Sequence, residues 1–186
     1  MVEKIRTSIM IPNYIEGDAA ALKGDLLTPG TGVAIGERFG AVIRRTRLVL
    51  TSFLVNDVST SDFGGTSLLT FANTNLLILG AYLSCAVTIA GMTTQACTSL
   101  IAAIGTVTTA STTFANAGEK NIIASMTGVG AGATGTIGGA LGSNVTIAAG
   151  ASNQLFLNIA QPVTSGTGTA TFTGRLDLVY VDLGVG

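Results

Sequence analysis

Histidine and tryptophan are absent from the 186 residues, cysteine occurs twice, proline three times, and charged side chains make up only 10% of the chain. Without histidine there is no imidazole to serve as a base, metal ligand or pH sensor near neutrality. Without tryptophan, the side chain that most often anchors a membrane interface is missing. Two cysteines, Cys85 and Cys97, are too few for a disulfide framework. They read as buried free thiols, although their spacing alone does not decide whether they pair. The shortage of charge is the most informative absence, because ordinary soluble domains carry about 25% charged residues. Seven of the nine basic residues fall before position 48, and between Gly64 and Gly174 the charges are the neighbours Glu119 and Lys120. Dispersed charge keeps free proteins apart, so so neutral a chain is expected to live packed against copies of itself or a larger assembly.

The run 75–90, NLLILGAYLSCAVTIA, is uncharged and apolar enough to raise the question of a membrane helix. Its periodicity answers otherwise. Leu77, Leu79, Ala81, Leu83, Cys85, Val87 and Ile89 share one parity, while from Gly80 on the other parity is small or polar. That is the two-residue repeat of a strand rather than the 3.6-residue repeat of a helix. A bend is expected near Gly80, where a missing side chain permits a bulge. No Lys or Arg flanks the run to set an orientation in a bilayer, and the amino terminus mixes charges too early for a secretory signal.

Residues 1–46 differ from everything after them. Ile11-Pro12 and Thr28-Pro29-Gly30 break the chain, and Asp18 is placed to cap one short turn over 19–23 that Gly24 ends. Little regular structure is expected in this extended arm, which becomes ordered by lying on a neighbour. From 47 to 186 the pattern predicts eight strands, at 48–57, 67–72, 76–89, 100–109, 121–127, 144–148, 154–160 and 169–182, separated by Gly, Ser, Thr and Asn clusters. Such a series fits an antiparallel β-sandwich or barrel. In the last strand Phe172, Leu176, Leu178 and Tyr180 share a parity opposite Thr171, Thr173, Arg175 and Asp177, while Val179, Val181 and Leu183 fill the wet parity near its end. Cover on both sides is expected there. The segment 128–143, GVGAGATGTIGGALGS, reads as a flexible surface loop.

No combination of residues makes a convincing catalytic site, and the chain is read as a non-enzyme without cofactor or metal. Gly130, Gly132 and Gly135 match G-x-G-x-x-G, but more Gly and Thr follow where a helix amino terminus is required. Asp57 and Asp62 are expected turn residues that bond their own backbone, and Asp177 a solvated neighbour of Arg175. Ser and Thr nucleophiles lack an activating base. The group Arg38, Arg44, Arg45 and Arg47 lacks the aromatic interleaving of a nucleic-acid surface in a chain of net charge −1. It is better suited to carboxylates of an acidic protein surface, where the planar guanidinium binds in two-pronged fashion. These four are the candidate partner-contact residues, with no direct nucleic acid and no membrane as partner.

Three stretches, DFGGTSLLTFANTNLLILGAYLSCAVTIAG (62–91), QLFLNIA (154–160) and GTGTATFTGRLDLVYVDLG (166–184), together resemble the decoration, or cement, proteins of tailed bacteriophages. The resemblance covers residues from about 48 onward and leaves the arm unmatched. It implies a jelly-roll fold, association as a homotrimer on the outer surface of the phage head, and contact with several major capsid protein subunits at once. It transfers no catalytic or cofactor residues. Weak contacts repeated over many lattice points add through multivalency, which suits a protein that reinforces a shell. A carbohydrate- or receptor-binding jelly-roll module of a phage tail or fibre is the alternative, disfavoured by the missing Trp and scarce Tyr that stack on sugar rings.

Overall fold

The computed structural model describes residues 15–16, 27–39, 43–56, 63–71, 74–91, 97–148, 153–161 and 168–184. Among them are twelve strands: β1 (Ile15–Glu16), β2 (Leu27–Pro29), β3 (Val33–Phe39), β4 (Ile43–Asn56), β5 (Phe63–Phe71), β6 (Asn75–Ala90), β7 (Ile101–Gly105), β8 (Ile123–Thr127), β9 (Thr134–Ala140), β10 (Val145–Ile147), β11 (Gln154–Ala160) and β12 (Thr169–Gly184). Two short 3-10 turns, Cys97–Ser99 and Ala117–Glu119, interrupt them. The strands form two antiparallel sheets. One runs β1-β3-β4-β12-β6-β10, with β9 also on β6; the other runs β2-β5-β11-β7-β8.

β12 organises the larger sheet. It pairs along nearly its whole length with β4 on one side (Thr169 opposite Asn56 to Val181 opposite Ile43) and with β6 on the other (Thr169 opposite Ala90 to Gly184 opposite Asn75). β6 in turn carries two short strands end to end, β10 over Leu76–Ile78 and β9 over Tyr82–Thr88. The alternation read from the sequence places Phe172, Leu176, Leu178 and Tyr180 inward, and all four are buried. They face Leu69, Phe71, Ile104, Leu155, Leu157 and Ile159 of the smaller sheet within one continuous core. Across the sandwich the Tyr180 ring meets Phe71 edge to face at 5.7 Å, and its hydroxyl accepts from Thr46 Oγ1 at 3.3 Å, so this buried polar tip is satisfied.

The expected bend in β6 is present. Val179 stands opposite Gly80 and Tyr180 opposite Ile78, so Leu79 is an extra residue in the ladder. The slip reverses the parity: Ala81, Leu83, Cys85, Val87 and Ile89 point inward as read, but before the bulge Leu76 and Ile78 are the buried pair instead of Leu77 and Leu79. A second bulge lies on β4, where Thr51 and Ser52 oppose Thr173 and Ser52 takes a φ of 50°.

All eight predicted strands have counterparts, but four more exist. The arm is not without regular structure: Val33–Phe39 pairs with β4 from Val33 opposite Leu50 to Phe39 opposite Arg44, and Leu27–Pro29 with β5. The 46/47 boundary falls within β4, and the turn expected at 19–23 lies outside the described residues. The glycine-rich segment contains a seven-residue strand, β9, preceded by a bridge from Val129 to Thr136. Glycine there serves close packing. A Cβ on Gly135 would come within 2.6 Å of Cys97 Sγ, and one on Gly139 within 2.6 Å of Met126 Sδ. Cys85 and Cys97 are unpaired and buried, and burial pushes the Cys85 thiol from 9.0 up to about 11 against a backbone hydrogen bond from Arg175 that lowers it. Among the described residues no helix is long and apolar enough to cross a membrane.

Candidate interaction surface

The two outer faces of the sandwich differ. Over the smaller sheet, the segment 106–122 between β7 and β8 folds back as a cover. Phe114, fully buried with a φ of 49°, packs on Ala103 and Ala160 beside Phe63 and Ile101. Asn158, fully buried on β11, pins the cover: its Oδ1 accepts from Thr109 N at 3.0 Å, and its Nδ2 donates to Val107 O at 2.9 Å and Glu119 O at 2.7 Å. Glu119 caps the adjacent turn, accepting from Ala110 N at 2.7 Å and Asn116 N at 3.1 Å. Both carboxylate oxygens are therefore engaged by backbone N–H groups, which makes this buried acid a structural element rather than a proton carrier. Neither Asn158 nor Glu119 stands out in the sequence; the S/T/N-x-x-E spacing of Asn116 and Glu119 was the available signal.

Over the larger sheet nothing comparable is folded back among the described residues, and its outward positions form rows across the strands. At one end lie Ile43, Val181 and Leu77 in register, with Thr146 beyond Leu77. Ile43 is 48% exposed and nearby Leu183 55%. The next row is Arg38, Arg45, Val179 and Gly80; the one after is Glu16, Gly36, Arg47, Asp177, Tyr82 and Ala140; then come Ala34, Val49, Arg175, Ser84 and Gly138. Beyond these the face turns to Thr173, Ala86 and Thr136, then Leu54, Thr171, Thr88 and Thr134. The cover expected over Val179, Val181 and Leu183 is not supplied by the described part of this chain: the two valines are half-buried and Leu183 is exposed.

The four arginines singled out from the sequence do not form one cluster. Arg45 is exposed on the outer face, with Arg38 opposite it in the ladder. Arg47 is on the same face but bound within the chain, its Nε 2.5 Å from Asp177 Oδ1 and its Nη2 3.4 Å from Oδ2. Arg44 has the other parity, opposite buried Tyr180. Alternation along β4 separates Arg44 from Arg45 whatever their nearness in sequence. Asp177 is more than a solvated neighbour: it also lies 3.3 Å from Arg175 Nε, bridging two guanidinium groups. Arg175, 51% exposed in its side chain, and Tyr82, 49% exposed, belong to this surface and were not among the sequence candidates. Asp57 and Asp62 lie outside the described residues, and Gly130 and Gly132 occupy a turn leading into β9. Among the described residues no group of three or more His, Cys, Asp and Glu is arranged to hold a metal.

No protein-family model and no curated protein matches the sequence. Among solved structures, a chain of the cyanophage Pam1 capsid asymmetric unit is similar at a TM-score of 0.36 and 12% identity, over 89% of this chain and 96% of that chain.

Proposed function

We propose that this protein is a structural component of a phage virion that binds the outer surface of the head and ties neighbouring major capsid subunits together, acting as a homotrimer and without catalysis. The observation that carries this reading is the asymmetry of the sandwich. One outer face is sealed by its own segment through Phe114 and Asn158, while over the other, with its strands of 14 and 16 residues and an apolar end, the described residues fold no cover. A surface of that kind is suited to permanent burial against neighbours. Support for reading the antiparallel sandwich as a jelly roll, the fold the sequence resemblance implies, comes from the strand orders β4-β12-β6-β10 and β5-β11-β7-β8.

The test is an add-back. Heads lacking the protein are incubated with the purified chain, imaged by electron microscopy and heated. Ordered density at symmetry-related sites and a raised temperature of head disruption are expected. Failure to sediment with the heads, together with an unchanged disruption temperature, would remove the proposal.

A further inference from the structure

The bare face is not chemically uniform, and its composition specifies a partner. Arg45 is exposed on β4 and Arg175 half-exposed on β12, with Tyr82 on β6 in the row between them. By register this face carries Arg38, Arg45, Arg47 and Arg175 against Glu16 and Asp177, an excess of two positive charges among the described strands (4 − 2 = 2). Beside this belt is the apolar row of Ile43, Val181 and Leu77, with Leu183 next to it.

We infer that this face is the docking site for an extended segment of another protein that carries, on one side of its chain, an apolar residue and carboxylates two and six residues beyond it. The inference rests on the proposed function only in taking that protein to be the shell subunit. Charge complementarity selects the occupant. A second copy presenting the same face would set an excess of arginine against an excess of arginine, which like-charge repulsion disfavours. A nucleic-acid backbone would meet Asp177 in the middle of the belt and find no phosphate partner for Ile43, Val181 or Leu77. Such a segment satisfies both halves: its carboxylates reach the guanidinium groups in two-pronged hydrogen bonds, and its apolar residue on the same side covers the row that the described residues leave open. Tyr82, one strand beyond Arg175 and in the row between those of the two arginines, supplies the rigid aromatic contact common in protein interfaces.

The spacing is also set. Val179 is the register partner of Arg45, and Arg175 lies four residues before it on β12 (179 − 175 = 4). Four residues of strand span roughly 13 Å. An extended segment with carboxylates four residues apart therefore meets both arginines.

The test uses the full chain and labelled synthetic peptides followed by fluorescence anisotropy: a Glu–Val peptide with Val and, two and six residues later, Glu on the same side of the extended chain, a Lys–Val peptide with Lys in place of Glu, and a short DNA duplex. The Glu–Val peptide is expected to bind, to weaken about 100-fold in Arg45→Glu/Arg175→Glu, and to weaken further with added salt. The separate variant Ile43→Ser/Leu183→Ser is expected to weaken binding about tenfold with the salt response retained. Both pairs are at the surface, and circular dichroism checks that the variants fold. Absence of Glu–Val binding, equal binding by the charge-reversed variant, or preference for the Lys–Val peptide or DNA would overturn the inference. The head add-back decides the proposed function separately: heads that bind the unmodified and charge-reversed chains alike sink this inference alone, and peptide binding without head binding sinks the virion role alone.

Discussion

Replacing Asn158 by alanine isolates the device that seals one face of the sandwich. The side chain is fully buried and serves three backbone groups: Thr109 N, Val107 O and Glu119 O. Alanine leaves all three without their partner, and an unmet buried polar group costs about 1–3 kcal/mol. Taking the lower end for each, since the cover is near the surface and water can enter once it loosens, gives a loss of about 3 kcal/mol. Against a total stability of about 5–15 kcal/mol for a domain, that is easily measured in urea. The loss has a location as well, because Phe114 and Glu119 are in the segment that Asn158 holds. Limited proteolysis and amide exchange are expected to show faster cleavage and exchange across 106–122 than elsewhere. Asn158→Asp sharpens the test. It keeps the acceptor for Thr109 N but points a carboxylate oxygen at two carbonyls, so its folded-state pKa must rise above the unfolded value. Its stability is then greatest at low pH and falls as pH rises through the folded pKa, opposite to the usual behaviour of an aspartate. An Asn158→Ala protein within about 0.5 kcal/mol of the parent, with 106–122 equally protected, would refute the argument.

Two further outcomes follow from packing and burial. Gly174→Val is expected to cost at least about 2 kcal/mol by urea titration, since a Cβ there would come within 2.2 Å of the Ser84 carbonyl oxygen and 2.9 Å of Cys85 Sγ; a neutral effect would mean β12 and β6 are further apart than described. Cys85, with its thiol raised from 9.0 to about 11 chiefly by desolvation, stays protonated in the folded chain while the unfolded chain ionises. Its contribution is complete below pH 9 and is lost between about 9 and 11 at about 1.4 kcal/mol per pH unit, so Cys85→Ala is expected to flatten the alkaline decline measured by thermal melts.

The sequence made eight strands legible, β4, β6 and β12 because burial on one side writes a two-residue period, and the shorter ones as apolar runs between turn residues. What it concealed had a physical reason in each case. β9 carries TGTIGGA, with Ile137 its one buried side chain, so almost no alternation is available to read. Its glycines look like flexibility and are in fact clearance for Cys97, Met126 and Ile123. The parity of β6 was right after Gly80 and inverted before it, since a bulge is a single-residue event that periodicity detects only as a defect. The arginine group failed as a cluster for the same reason that the strands succeeded. Side chains adjacent in a strand belong to opposite faces, and the basic surface that does form draws Arg175 from 130 residues beyond Arg45 (175 − 45 = 130).

The position of β12 bears on how the molecule comes to exist. It is the latest of the described strands in synthesis order, yet it is seated between β4 and β6 and supplies the ladder partners of both. Until the ribosome has passed residue 184, those two strands have no inner neighbour, and the larger sheet cannot close. Closure of the larger sheet therefore awaits β12 and is governed by contacts of long sequence separation, which makes folding slow for its size. A nascent chain held before that point would expose two long unpaired strand edges, the condition under which chaperones are most needed.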